Sequence, residues 1–386
     1  MSALADTSTG TDVIMSPTLR IDLAAVAHNI RKIVRGTTAD VMAVVKADGF
    51  GHGAGAVAET ALSNGATSLG VTSIEEALDL RAMGFRTRIL SWLNAPEADF
   101  ASASIGNVEV AIPSIEHLVA VARSGRSTQR RMSVHLFADC GMARDGASCS
   151  EWTELCRRAH ELETRGDVRV VAIMGHLPFA DEADSRRNDR GRSQFISAAA
   201  QARAEGLTPK QLHLGATSVA LTDPMSHFDM LRVGAGLVGI DPTGTTTLKP
   251  AMTLEAPLIQ TREVHAGTGV GYGHAWRAPH TTRLGLVPLG YADGIPRSAT
   301  NQGEVLIGGV RCPIVGRVSM DQTVIDLGQT HAAPGDRATI FGPGDRGEPT
   351  VKEWASWCGT IEHEIVTGIG ARVRRQTIPN SPRLVG

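Results

Sequence analysis

Residues 43–53 read Ala43-Val44-Val45-Lys46-Ala47-Asp48-Gly49-Phe50-Gly51-His52-Gly53. An apolar run of the kind that fills a strand buried on both faces ends in a lysine, and a turn with three glycines in five residues follows. A lysine is ordinarily a solvated surface charge. At the mouth of an apolar strand its amine is partly desolvated, its pKa falls, and it becomes able to form a Schiff base. Lys46 is therefore the first candidate for chemistry.

The pattern around that stretch repeats. Strands are expected at 41–47, 68–71, 88–92, 109–112, 133–139, 168–176, 211–215 and 229–234, most of them separated by an amphipathic helix or a short substitute. Ser73-Ile74-Glu75-Glu76 opens one helix as a capping box, and Ser114 takes the same place after the fourth strand. A short strand at 19–23 and a helix over 24–35 come first. Eight strand–helix units predict an α/β fold, a (β/α)8 TIM-like barrel, with a doubly wound sheet as the alternative. From Pro250 the runs become short, β-branched and divided by Gly or Pro, so a mainly β C-terminal domain is expected, with one short helix over 350–357. The expected organisation is a disordered leader over 1–16, a barrel over 17–245 and a β domain over 246–386, parted near Asp241-Pro242-Thr243-Gly244.

Bulk properties narrow the function. With 38 basic and 40 acidic residues among 386, the net charge of −2 argues against a nucleic-acid or membrane-surface partner, and no apolar run reaches the roughly 18 residues of a membrane span. Five cysteines, odd in number and without CxxC spacing, suit a reducing compartment, so the cytoplasm is expected. The leader lacks a basic segment followed by an apolar core.

Chemistry in a barrel gathers at the carboxyl ends of the strands. Those ends carry Lys46, Asp139 with Arg144 just beyond, His176, Ala216-Thr217-Ser218 and Arg232-Val233-Gly234-Ala235. The loops after the seventh and eighth strands form the usual phosphate site of this architecture. There Thr217, Ser218 and the backbone at Gly234 and Ala235 offer donors without bulk. A phosphate site and an amine on the first strand bracket a molecule the size of pyridoxal phosphate. Arg232 facing its pyridine nitrogen would leave that nitrogen unprotonated and weaken the electron sink, which favours simple proton transfer. Singly, His176 also reads as a satisfied core histidine, Arg232 as an ion-pair partner and Thr217 as a helix cap; their convergence carries the functional reading. The β domain holds the chain's two tyrosines, Tyr272 and Tyr291, each beside glycines. Such glycines serve turns equally well, but a tyrosine on a tight turn is also an acid/base candidate once a cation lowers its pKa.

Together, Val44 to Gly53, Leu231-Arg232-Val233-Gly234, Gly271-Tyr272-Gly273-His274, Gly290-Tyr291-Ala292-Asp293-Gly294 and Val315 to Gln322 resemble the alanine racemase family over about residues 19–375. The resemblance implies pyridoxal 5'-phosphate held by Lys46, no metal, and a homodimer with shared active sites acting on a small-molecule amino acid. It makes Lys46 the base on one face of the substrate Cα and Tyr272 of the partner subunit the base on the other. It sets His176 near the cofactor ring, Arg232 at its nitrogen, Arg144 and the Met320 backbone on the substrate carboxylate, and Tyr291 at the entry. Four changes depart from the family pattern: Phe50 in place of a phosphate-binding tyrosine, the pair Ala216-Thr217 in place of Asn-Ser, Phe137 in place of a lysine that positions Arg144, and His363 in place of an entrance tyrosine. The expected activity is an L/D-alanine racemase. A racemase, aldolase or decarboxylase for a specialised amino acid is the alternative, and a cofactor carrier or metal-dependent hydrolase ranks below both.

Overall fold

The computed structural model describes residues 16–182 and 185–379, so all but the last residue of the expected leader lies outside the described residues. The chain forms two compact units, one of residues 22–251 and one that joins the segment ending at Ile21 to Met252–Ile378.

The first strand, β1 (Thr18–Asp22), was expected to open the barrel but belongs to the second unit. It pairs antiparallel with a strand some 230 residues later, Thr18 opposite Glu255 and Ile21 opposite Met252. No local pattern encodes such a partner. Helix α1 (Leu23–Arg35) begins the barrel unit, its Asp22 carboxylate accepting from the Ala24 and Ala25 amides, and it buries Val26, Ile30 and Ile33. The segment Lys249–Ala251 stays with this unit because Asn29 brackets Lys249 and Ala251 N–H donates to Val238, which moves the boundary past the expected Gly244.

Eight parallel strands follow among the described residues: β2 (Asp40–Val44), β3 (Ser68–Val71), β4 (Arg88–Ser91), β5 (Glu109–Ile112), β6 (Met132–Phe137), β7 (Val168–Met174), β8 (Gln211–His213) and β9 (Met230–Val233). Their order is β8-β7-β6-β5-β4-β3-β2-β9, and the sheet closes where Asp229 N–H donates to Leu212 and Arg232 N–H to Gly215. The intervening helices are α2 (Ala54–Leu62), α3 (Ile74–Ala82), α4 (Phe100–Ile105), α5 (Ile115–Thr128), α6 (Cys149–Thr164), α7 (Asp189–Ala204) and α8 (Thr217–Thr222). The Ser73–Glu76 capping box is present at α3. Ser114 stands at the cap position of α5, but its hydroxyl goes to Glu116 and His117 rather than to a helix amide.

Met42, Leu90, Ala111, Phe137, Met174 and Met230 fill the barrel, with Trp92 against them. A polar plug closes the amino end: Arg88 clasps Glu109 through two bonds of 3.0 Å and donates to Gln211, whose amide reaches Asp40. Burial acts to raise the Glu109 carboxyl, but His135 and Arg88 outweigh it and hold it at about 2. A carboxyl held below its ordinary 4.5 stabilises the fold fully above that pH, and the contribution is lost as the pH falls towards 2. Urea midpoints measured from about pH 6 to pH 3 are therefore expected to fall more steeply for the native protein than for Glu109→Gln; parallel curves would exclude this role.

The second unit contains a six-stranded sheet, β16-β15-β18-β10-β1-β19, a three-stranded sheet, β11-β14-β17, and a hairpin, β12–β13. Their ranges are β10 (Met252–Pro257), β11 (Gln260–Val264), β12 (Gly269–Val270), β13 (Trp276–Arg277), β14 (Thr282–Val287), β15 (Glu304–Ile307), β16 (Val310–Pro313), β17 (Thr323–Gly328), β18 (Arg337–Phe341) and β19 (Arg374–Ile378). The apolar stretch that follows Pro250 is split at Leu258-Ile259 into strands of two different sheets. Helix α9 (Val351–Cys358) is the expected one, while α10 (Glu362–Thr367) was not foreseen.

Candidate active site

Strand β2 stops at Val44, so Lys46 lies just past the strand and not on it. From Ala47 to Phe50 the backbone is left-handed at four successive residues, with φ of 51°, 53°, 61° and 58°. Only Gly49 adopts that region freely; each of the others costs about 1–2 kcal/mol. Local bonds offset the strain. Ala47 N–H donates to Glu76 at 2.7 Å, Asp48 accepts from Ala54 N–H at the start of α2, and the Phe50 ring is buried. Glu76 thus serves both its own helix and the lysine turn, a second task that the capping-box spacing does not announce. Strain concentrated beside a candidate catalytic group is common where a side chain must be aimed.

The Lys46 amine has an aromatic neighbour in Trp92, whose ring centre is 5.9 Å away. Burial first, and then Arg144 and Arg232, lower its pKa, while Glu76 acts against them. The sequence reading missed Trp92, whose position at the end of β4 was the available signal.

Arg232 lies on β9 and is buried. One terminal nitrogen donates to His213 Nδ1 and O, both at 2.9 Å; the other donates to Gly175 O at 2.7 Å, Leu214 O at 3.2 Å and His176 Nδ1 at 3.3 Å. Among the described residues only its Nε–H is left without an acceptor. His176, two residues past β7, is pushed down to about 3 by burial and by Arg232, Arg144 and Lys46, so it is neutral. The sequence reading passed over His213, a fully buried histidine on β8.

Ala43 on β2 stands opposite Val233 on β9, so Lys46 and Gly234 leave adjacent strands at the same end. A Cβ on Gly234 would lie 2.6 Å from the Phe50 ring, which forms one wall of the cradle. Thr217 Oγ1 accepts from Gly234 N–H at 3.3 Å and Gly236 N–H at 3.1 Å, leaving its own hydrogen to donate. The Gly234 amide is therefore engaged rather than open, whereas Ala235 N–H, as first amide of a 3-10 turn, has no carbonyl within that turn. The Ser218 hydroxyl is taken by Asp181 at 2.6 Å. Ala216 caps α8 without a side-chain bond.

A phosphorylated pyridine aldehyde fits this donor set. It meets an amine with lowered basicity, a single free N–H aimed from a buried cation, and a phosphate corner made of Thr217, the Ala235 amide and a glycine where a side chain would collide. Arg144, the residue expected to meet a substrate carboxylate, follows β6. Asp139 accepts from the Gly141, Met142 and Ala143 amides and shapes the loop that presents Arg144, itself exposed and without a partner among the described residues. Phe137 is 5% exposed and packs in the barrel interior; its ring also reaches the loop, 3.1 Å from where a Cβ on Gly146 would stand, and lines a small pocket with Met142, Arg144 and His176, but it brings no polar group to Arg144.

In the second unit Tyr272 is at the tip of the β12–β13 hairpin and is 71% exposed. Gly271, Gly273 and His274 have φ of 66°, 67° and 45°, which turns the chain sharply around the phenol. Asn301 holds this hairpin, donating to Ala275 O at 3.0 Å and accepting from Gly316 N–H at 2.7 Å. Tyr291, 44% exposed, is brought beside Met320, because Tyr291 N–H donates to Ser319 O and Ala292 N–H to Met320 O. Met320 N–H has no acceptor among the described residues. Arg372 links Asp293 and Asp321 beneath this pair. His363 lies on α10, whose end packs on Gly294.

Residues 21–242 match the model of the alanine racemase N-terminal domain, and residues 251–377 match that of the C-terminal domain. The chain is 44% identical to an alanine racemase of Frankia casuarinae over 365 residues, 93% of this chain and 95% of that one. It superposes with a TM-score of 0.93 on an alanine racemase of Streptomyces coelicolor at 39% identity, covering 96% of this chain and 100% of that chain. With an alanine racemase of Bartonella henselae carrying covalently bound pyridoxal phosphate, the TM-score is 0.85 at 26% identity, over 94% and 99% of the two chains.

Proposed function

Because this chain belongs to the alanine racemase family, we propose that its barrel and β-domain sites are two halves of one active centre, completed between the subunits of a homodimer. The enzyme is a pyridoxal-phosphate-dependent isomerase that interconverts L- and D-alanine. The observation that carries the site assignment is the pairing of a desolvated Lys46 amine with the single free N–H of Arg232 at the same end of the barrel.

When bound, pyridoxal phosphate supplies the electron withdrawal that makes the hydrogen on the substrate Cα acidic. Lys46 Nζ would hold the cofactor covalently and would move the proton on one face of the substrate Cα. Burial lowers its basicity, the direction that favours its use as a base. Arg232 would offer its free Nε–H to the ring nitrogen. A guanidinium does not readily give up its proton, so Arg232 would leave that nitrogen unprotonated and keep the electron withdrawal moderate, which favours return of a proton to Cα over other bond cleavages. Thr217 and the Ala235 amide hold the phosphate. Arg144 and Met320 N–H take the alanine carboxylate, while Tyr291 and His363 wall the entry. Tyr272 of the partner subunit moves the proton on the opposite face. Five free cysteines support a reducing, cytoplasmic setting.

In D2O the holoenzyme is expected to abolish the optical rotation of either alanine enantiomer and to place deuterium on Cα of both. Absence of exchange with alanine would overturn the assignment. The cradle is tested by Gly234→Ala. Its Cβ would sit 2.6 Å from the Phe50 ring, and overpacking of about 1–3 kcal/mol predicts a pyridoxal phosphate Kd raised about tenfold or more. Absorbance titration of the apoenzyme measures it. Phe50→Leu in the same background is expected to recover part of the loss, and an unchanged Kd in the single variant would remove Gly234 from the phosphate corner.

A further inference from the structure

The bonds that fix Arg232 continue beyond His213 through the barrel interior. His213 Nε2 is 2.8 Å from His135 Nδ1, and His135 Nε2 is 2.8 Å from Glu109 Oε2. Both imidazoles are fully buried, with their rings edge to face. A guanidinium can only donate, so His213 Nδ1 accepts from Arg232 and the His213 proton sits on Nε2. His135 Nδ1 must then accept, and its proton on Nε2 is donated to the carboxylate. The chain therefore runs in one direction, from Arg232 near the carboxyl end of the barrel to Glu109 at the amino end.

We propose that Glu109 and His135 are positioning residues for racemisation: acting through two neutral imidazoles, the carboxylate in the amino-end plug fixes the orientation of Arg232 at the cofactor nitrogen. A buried cation needs a counter-charge, and no carboxylate touches Arg232 among the described residues. Contact with a carboxylate would also cancel its field on the ring-facing side. Two intervening rings keep the compensation while leaving the Nε–H field intact. Each imidazole can accept only if its neighbour donates, so the Glu109 carboxylate, an acceptor alone, sets the tautomer of both rings and thereby the acceptor that Arg232 meets.

The groups bearing on the chain are Arg88, clasping the carboxylate, Asp40 through Gln211, and His176 and Cys140 beside Arg232. Burial lowers Arg232 only to about 10, whereas Glu109 is held at about 2, so the charges stay at the two ends. Burial lowers the pKa of His135, against the pull of Glu109, and that of His213, which favours the neutral rings that the bonding pattern requires. The Cys140 thiol, pushed up to about 12, is neutral as well.

The spectroscopic part of the test rests on the reading of Arg232 as the partner of the cofactor nitrogen, for which Arg232→Gln is the reference. In Glu109→Gln and His135→Phe holoenzymes kcat is expected to fall about tenfold with KM within about twofold, the size of effect that loss of an orienting bond has on a ligand-holding side chain. The visible absorbance of the bound cofactor is expected to become dependent on pH, as in Arg232→Gln. Gln211→Leu, which opens the plug without breaking the chain, is expected to lower Tm and leave spectrum and pH profile alone. Wild-type spectra, pH profiles and kcat in both chain variants, with Arg232→Gln altered, would overturn the proposal. A wild-type spectrum in Arg232→Gln itself would instead overturn the reading of Arg232. Should the chain variants fail to fold, ¹⁵N-histidine NMR of the native holoenzyme decides. A pyridine-type Nδ1 and a pyrrole-type Nε2 on both rings support the chain, and the opposite tautomer or a doubly protonated ring refutes it.

Discussion

Lys46→Ala is expected to lower racemase activity by roughly ten-thousand-fold or more, because in the proposed site one residue carries both the attachment point and one of the two bases. The same change should erase the visible absorbance of bound pyridoxal phosphate. Loss of fold is not the expected cause. The Lys46 amine makes no hydrogen bond among the described residues, and its pKa is lowered chiefly by burial. A base whose pKa falls on folding destabilises the native state fully below the lowered pKa, and the penalty shrinks as the pH rises from there to the ordinary 10.5. The variant apoenzyme should therefore melt at the native temperature or slightly above it, with the gap greatest at neutral pH and closing under alkaline conditions. That combination, an inactive protein that is at least as stable, is what separates a residue kept for chemistry from one kept for packing. Retained cofactor absorbance or residual activity within about a hundredfold of native would remove Lys46 from its role.

The eight barrel strands were legible because each apolar run is bounded by its own turn chemistry, and Lys46 because a charge ends such a run. What followed Lys46 was not. Gly49, Gly51 and Gly53 announced a turn, but Ala47, Asp48 and Phe50 carry no compositional mark for a left-handed backbone; Glu76, held from another unit of the barrel, helps to impose it. Long-range pairing hid β1 in the same way, since its sheet partner lies beyond the whole barrel. Arg232 was readable as a cation at a strand end, yet its surroundings were not. His213 and His135 are single histidines in apolar runs, and only the closed barrel aligns them with Glu109. Phe50 shows the limit of reading by comparison. Its missing hydroxyl was visible, whereas its retained use as the wall against Gly234 required coordinates.

Tyr272→Phe should keep cofactor absorbance and stability while lowering racemisation by about a hundredfold to ten-thousandfold, the range of a lost general acid–base group. The side chain is largely exposed on a hairpin whose shape depends on Gly271, Gly273 and Asn301, so removing one oxygen leaves the turn intact. Lys46 still serves its own face of Cα. In D2O the variant should therefore exchange the Cα hydrogen of one enantiomer faster than it produces the other, where the native enzyme does both together. Mixing subunits distinguishes where the second base comes from. In a dimer of one Lys46→Ala and one Tyr272→Phe chain, shared sites place both lesions in one centre and leave the other with native Lys46 and native Tyr272. Random reassociation of equal amounts makes about half the dimers mixed, each with one sound site of two, so about a quarter of native activity should return from two inactive parents. If each chain instead completed its own centre, every site in the mixed dimer would carry one lesion and no activity would return; that result would end the shared-site assignment of Tyr272 while leaving Lys46 and the cofactor cradle in place.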